Sequence, residues 1–221
     1  MHLGAGATSA IIGYRKPDTP MSVVHTTGTL APAFSPLLRR YTLEEFFALP
    51  DPEDRAHYEL IGGNLFMVPP PDPSHADVDA YLNGSLAVFL RANGSPGRIY
   101  HPREAIYAGD TFIQPDMMYV SDDLRAKMGK KRTSADIVFE YISKSNAIYD
   151  KTTKADTYLA LGVPELWLVD SHTKNVEIRN RVAAESGYGW ESRWFNPGDY
   201  AASLVLPGWQ WVSVANLFAG L

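Results

Sequence analysis

Two short apolar runs, each carrying a single acid, restrict the folds open to this 221-residue chain more than any other feature. Residues 113–120 read IQPDMMYV and hold Asp116; residues 137–142 read IVFEYI and hold Glu140. Both runs are strand-like, and carboxylates are depleted from buried strands because an unpaired buried charge is costly. A helix-like stretch then supplies Asp150 and Lys154, four residues apart and therefore on one helical face. Two acids inside neighbouring apolar strands, with a lysine shortly after, suggest a metal ion held at the rim of a sheet.

The rest of the chain sets looser bounds. A hydrophobic content of 45% lets 221 residues bury a real core as one domain with a tail. No stretch of about 18 uninterrupted apolar residues occurs, so no membrane span is expected. The start, MHLGAGATSAIIGYRKP, has neither the basic opening nor the apolar length of a secretory signal. There are no cysteines, which removes disulfides, thiolate metal sites and a cysteine nucleophile, and fits a cytoplasmic protein. The net charge of −5 argues against a nonspecific nucleic-acid coat. LRAKMGKKR (residues 124–132) is the best local basic patch, read first as a solvated loop and second as a phosphate contact.

Taken in order, residues 1–36 are rich in Gly, Ala, Thr, Ser and Pro without a sustained period and are expected to form a mobile extension; Met21 is an alternative start. Residues 37–221 then make a single domain, with its core at 41–180 and a β-rich part at 181–221. Thr42 and Glu45 form a capping box, with Tyr41 and Phe46 at the staple positions, so a short helix should run to about Leu49. YELIGGNLFMV (58–68) predicts a hairpin turning at Gly62-Gly63. Ser74 is expected to cap a helix from His75 to about Asn93, with Val78, Leu82, Leu86 and Phe89 as its apolar stripe. Strands are expected at about 99–107 and 112–120, then a charged separator at 121–135, then a strand at 136–142. A helix from near Ala147 to Gly162 leads to a strand at 163–170 that pairs with VEIRNRV. A β meander and a short terminal helix finish the chain. This order predicts one α/β domain with a mixed sheet.

RYTLEEFFALP, YELIGGNL, PPPDPSH, QPDMMYV, VFEYIS, DKTTKADTY and GVPELWLVD occur in the order found in a large family of bacterial putative restriction endonucleases, which the chain resembles over roughly residues 41–180. That family belongs to the restriction-endonuclease-like superfamily named for its PD-(D/E)XK motif. The resemblance implies a mixed central sheet flanked by helices, with extra hairpins, a divalent-metal site and hydrolysis of DNA phosphodiesters. Pro115-Asp116 matches the PD element and Glu140 the second acid. The superfamily pattern puts lysine two residues later, where this chain has Ile142; Lys154 on the following helix matches the displaced lysine. Glu59 matches a further acid of such sites. Gln114, His75 and Ser143 match recurring positions, and Lys144 departs from the usual proline.

The chemistry asks for a positioned water and for neutralised charge on the phosphoryl oxygens. Magnesium, with manganese as substitute, is expected on Asp116 and Glu140, with Ile or Tyr carbonyl oxygen beside Glu140 as a further ligand. Lys154 would steady the anionic transition state, oriented by Asp150, while Glu59 takes a second metal or hydrogen-bonds the lysine. Bland alternatives stand beside these. Asp116 can end an irregular strand after Pro115; Glu140 and Lys154 can be a structural ion pair; Asp150 and Lys151 read first as solvated helix residues; His75 can be a surface or capping residue. Trp190, Trp194, Trp209 and Trp211 read as core or dimer surface rather than base-stacking groups. The expectation is thus a magnesium-dependent, homodimeric endonuclease acting on DNA, the alternative an inactive nuclease-fold module that binds DNA or protein.

Overall fold

The computed structural model describes residues 39–52, 56–94, 96–102, 104–144 and 147–221; the extension expected at residues 1–36 lies outside them. The first element is helix α1 (Leu43–Phe47), built by its capping box: Thr42 Oγ1 accepts the Glu45 N–H at 3.2 Å and the Glu45 carboxylate accepts the Thr42 N–H at 2.9 Å. Tyr41 and Phe46 are buried together against Leu60, as a hydrophobic staple requires. Strands β1 (His57–Ile61) and β2 (Asn64–Val68) form the expected hairpin, with Gly62 at φ +54° and Gly63 at φ +78° in the left-handed conformations that a two-residue turn of this hand needs.

Helix α2 (Ser74–Ala92) corrects one detail of the sequence reading. Ser74 is its first helical residue, not its cap; the cap is Pro73, which makes no side-chain bond. Asp72 does the local work, accepting from both the backbone and the hydroxyl of Ser74 at 3.0 and 2.9 Å. The buried stripe is Val78, Leu82, Leu86 and Leu90, with Phe89 only packed at its margin.

The two long strands expected at 99–107 and 112–120 are four short ones: β3 (Gly97–Tyr100), β4 (Ile106–Ala108), β5 (Thr111–Ile113) and β6 (Met117–Ser121). The second break falls at Gln114-Pro115-Asp116, where proline has no N–H to give to a ladder. The break sends the chain from one sheet into another. β5 lies in a four-stranded sheet of order β2-β1-β5-β4, whereas β6 lies beside β3 in a second sheet of six strands. The charged separator is also more ordered than expected. It contains helix α3 (Asp122–Met128), whose N-cap Ser121 accepts the Leu124 N–H at 3.2 Å.

Strand β7 (Ile137–Ile142) follows, and helix α4 then crosses to the parallel neighbour β8 (Glu165–Asp170). α4 is α-helical at Ala147–Tyr149, π-helical at Asp150–Lys154 and α-helical again at Ala155–Ala160. β9 (Asn175–Ala184) and β10 (Gly187–Phe195) form a long hairpin, and a small ribbon of β11 (Tyr200–Ala201) and β12 (Val212–Ser213) precedes α5 (Val214–Leu217). All pairings in the larger sheet are antiparallel except β7 with β8, so the sheet is mixed.

Strand alternation assigns the two faces of that sheet. Met117, Tyr119, Phe139, Tyr141 and Trp167 face α2 and the C-terminal segment, where Trp167 stacks on Trp209 at 5.0 Å. Met118, Val120, Val138, Ile142 and Leu168 face Ala155 and Tyr158 of α4. Among the tryptophans, Trp209 is core while Trp194 and Trp211 are exposed.

Candidate active site

Asp116 and Glu140 reach one place because of register. β6 and β7 pair Met117 with Phe139 and Met118 with Val138, so one step further along the antiparallel ladder sets Asp116 opposite Glu140. Cross-strand neighbours on one face have Cβ atoms about 4.5–5.5 Å apart. Both residues share the parity of Met118 and Val138 and thus the face covered by α4. The Tyr141 N–H anchors the aspartate by donating to Asp116 Oδ2 at 2.7 Å.

Lys154 arrives from above this pair. A π turn places residues five apart on one line, so Tyr149 and Lys154 both point at the acids, and π turns are frequent at functional sites. Lys154 Nζ lies 2.7 Å from Glu140 Oε1, 3.6 Å from Glu59 Oε1 and 4.0 Å from Asp150 Oδ1, and donates to the Gln114 carbonyl at 3.2 Å. Glu59 comes from the other sheet. Its Oε1 accepts the Gln114 N–H at 2.6 Å and its Oε2 the Tyr149 hydroxyl at 2.7 Å. The Tyr158 hydroxyl donates to Glu140 Oε1. Four carboxylates thus surround one ammonium, and only Asp116 opens to solvent: its side chain is 24% exposed, against 0% for Glu59, 2% for Glu140, 7% for Asp150 and 4% for Lys154.

This crowding governs protonation. Burial pushes Glu140 well above the usual carboxylate range, opposed by Lys154 and reinforced by Asp116, Asp150 and Glu59. Burial likewise raises Asp116, against the pull of Lys154 and His75, and lifts Asp150 to about 7. Glu59 behaves differently: burial works against its charge, but Lys154 and the donors on both its oxygens hold it below the usual range. For Lys154, burial favours loss of the proton, and the four carboxylates reverse that, keeping the amine an ammonium above its ordinary range. Lys154 is therefore a fixed positive charge and not a proton acceptor.

A family model described as "Putative restriction endonuclease" matches residues 43–215, which takes in every element from α1 to the start of α5. The chain belongs to the Uma2 family. A solved structure, titled as a putative nuclease belonging to DUF820 from Anabaena variabilis ATCC 29413, is similar over 80% of this chain and 97% of its own, with a TM-score of 0.63 and 19% identity. At that identity the likeness is one of fold. No curated protein matches the chain.

Within this Uma2 chain, the donor set tests whether a metal fits. Both contacts to Glu140 fall on Oε1, and Asp116 Oδ1 accepts no hydrogen bond, so each acid keeps one oxygen unused among the described residues. Among those residues no three His, Cys, Asp or Glu side chains form a ready cluster for a metal. Such a set does not suit a closed zinc cage. It suits magnesium, which takes one or two carboxylates and keeps several waters.

The remaining candidates divide. Gln114 joins the site through its backbone N–H and carbonyl. His75, on the first turn of α2, puts Nδ1 4.0 Å from Asp116 Oδ1 and its ring edge-on to Tyr141, and both ring nitrogens are buried with no hydrogen bond among the described residues. Ser143 lies just past β7, and Lys144 is an exposed turn residue. Asp150 is buried beside Lys154, not solvated. Sequence reasoning missed Tyr149 and Tyr158. The four-residue spacing Asp150, Lys154, Tyr158 was the available signal for the second; the first needs the π turn, which no spacing rule announces.

Proposed function

We propose that this protein is a metal-dependent endonuclease that hydrolyses DNA phosphodiester bonds, with Asp116, Glu140, Lys154 and Glu59 as its working residues. The observation that carries the reading is the convergence of three separate elements on the Lys154 ammonium, with the unused oxygens of Asp116 and Glu140 beside it. Asp116 and Glu140 would hold magnesium, or manganese in its place, and the ion would supply charge neutralisation and a more acidic bound water. Lys154 adds a second positive charge for the anionic transition state, preorganised by Glu59, Asp150 and the Gln114 carbonyl. Tyr158 holds Glu140 through one oxygen and leaves the other for the cation. Exposure confined to Asp116 makes that side the entry for a phosphate. Cutting both strands of a duplex favours a two-fold dimer.

A second reading is favoured by how closely Lys154 is held: it pairs with Glu140 at 2.7 Å and with Glu59 at 3.6 Å and donates to the Gln114 carbonyl at 3.2 Å. In that case the cluster is a structural ion-pair network in an inactive module that binds DNA or protein. Incubating supercoiled plasmid and single-stranded DNA with wild type and Lys154→Ala, with magnesium or manganese, separates the two. Cleavage by wild type alone supports the enzyme. Retention in a gel shift without cleavage by either protein supports the module. Calorimetric titration of magnesium into wild type and Asp116→Ala tests the metal directly, and equal heats would remove it.

A further inference from the structure

Five of the chain's 20 lysines and arginines lie within eight residues, 125–132, although the formal net charge is −5. Folding accounts for three of them. Arg125 and Lys127 sit in the last turn of α3, where cations offset the carbonyl end of the helix, and Arg125 also pairs with Asp122 at 2.8 Å. Arg132 pairs with Glu104 at 3.0 Å and lies 3.9 Å over the Tyr100 ring. Lys130 and Lys131 come after Gly129, are exposed, and make no hydrogen bond or ion pair among the described residues.

Two cavities meet at those two lysines. One, of about 350 Å³, is walled by Tyr100, Arg125, Arg132 and the Glu104 carboxylate that Arg132 pairs with. The other, of about 570 Å³, is walled by Leu43 and Phe47. Lys130, Lys131 and Tyr107 line both, so the cavities adjoin as one groove with Arg125 and Arg132 toward one end and Phe47 toward the other. Phe47 is 59% exposed, yet its ring is braced at 5.4 Å and 89° against Phe112. A cationic track beside fixed aromatic faces is the arrangement that binds an unpaired nucleic-acid strand, since phosphates seek the lysines and any base offers a π face.

We propose that this groove holds single-stranded nucleic acid, with phosphates at Lys130 and Lys131 and a base against Phe47 and Tyr107. The proposal rests on the nuclease reading and adds where a strand is gripped away from the acids. Val120 in the groove wall is four residues from Asp116 along the chain, roughly 13 Å of extended backbone, or about four nucleotide steps of a stacked strand. An acidic peptide would use the lysines but leave the Phe47 wall uncovered, so charge and shape together select a strand with bases.

The test is fluorescence anisotropy of a labelled 12-mer oligothymidylate and of a duplex of equal length, with the full chain in EDTA so that no metal-dependent cleavage intrudes. Wild type should bind the single strand more tightly than the duplex. Lys130→Glu/Lys131→Glu should weaken single-strand binding at least about tenfold and lower the salt dependence by about 1.4 in log–log slope. Phe47→Leu, which keeps an apolar contact on Phe112, should weaken it about 5- to 100-fold with the slope unchanged. Melting curves followed by circular dichroism confirm that both variants fold. Wild type that binds no oligonucleotide, variants that bind like wild type, or polyglutamate bound as tightly as oligothymidylate would each overturn the groove. Binding in EDTA that persists while magnesium and manganese elicit no cleavage would overturn the nuclease reading and leave the groove standing.

Discussion

Neighbouring strands β7 and β8 each bury a glutamate, and the two acids live in opposite circumstances. Glu165, on β8, accepts from Trp167 Nε1 at 2.8 Å, Asn180 Nδ2 at 2.9 Å, the Leu204 N–H at 2.7 Å and the Val205 N–H at 3.4 Å. Neutral donors cover both of its oxygens. Glu140, on β7, has Lys154 and Tyr158 on one oxygen, nothing on the other among the described residues, and three more carboxylates near enough to raise its proton affinity. Glu165 ties the C-terminal segment to the sheet; Glu140 belongs to a cluster with more negative charge than its single lysine offsets. Burial of an acid is therefore no sign of function. What distinguishes the two is whether the surrounding protein completes the acid's bonding.

The sharpest way to break that contrast is to remove each charge with an isosteric amide. Glu140→Gln should lower plasmid cleavage by at least about 10³-fold, corresponding to some 4 kcal/mol of transition-state stabilisation, while changing urea stability by less than about 1 kcal/mol, because glutamine can still accept from Lys154 and Tyr158. Glu165→Gln should do the reverse, leaving magnesium titration untouched and costing about 2–3 kcal/mol in urea unfolding as an amide N–H₂ meets a ring of donors. Matching profiles for the two variants would erase the distinction.

Lys154→Ala should destabilise by about 3–5 kcal/mol, since it strands Glu140 and Glu59 in the interior. A loss under 1 kcal/mol by denaturant titration would mean the acids are already protonated or solvated.

Asp150 gives a pH signature of smaller size. With its carboxyl lifted to about 7, the folded protein holds a proton there that the unfolded chain releases near pH 4. Stability contributed by that proton falls as pH rises between those values, and the full cost is present above pH 7. Asp150→Asn should therefore raise stability by about 1–3 kcal/mol at pH 8 and by almost nothing at pH 4; an equal gain at both pH values would show that charge is not the cause. Tyr158→Phe removes one buried donor from Glu140 and should cost about 1–2 kcal/mol in thermal or urea unfolding. No measurable change would place that hydroxyl outside the cluster's energetics.

What could be read from the chain alone was local. The capping box at Thr42 and Glu45, the Gly62-Gly63 turn, the inward parity of Glu140 and the shared face of Asp150 and Lys154 each depend on residues a few positions apart and on a fixed backbone period. Near-neighbour sterics and hydrogen bonds settle such features before any packing occurs. Pro115 marked a break, but not that the break would carry the chain between two sheets and leave Asp116 opposite Glu140. Likewise α3 was hidden in a stretch that reads as solvated charge, because of its seven residues only Leu124 and Met128 pack on the core, and both only in part. The union of Glu59 with Lys154, the structural role of Glu165 and the entry of Tyr149 through a π turn were decided only by tertiary structure. Each joins groups from 15 to 95 positions apart or alters the helical period itself, and long-range packing, not local propensity, determines which of those distant groups meet.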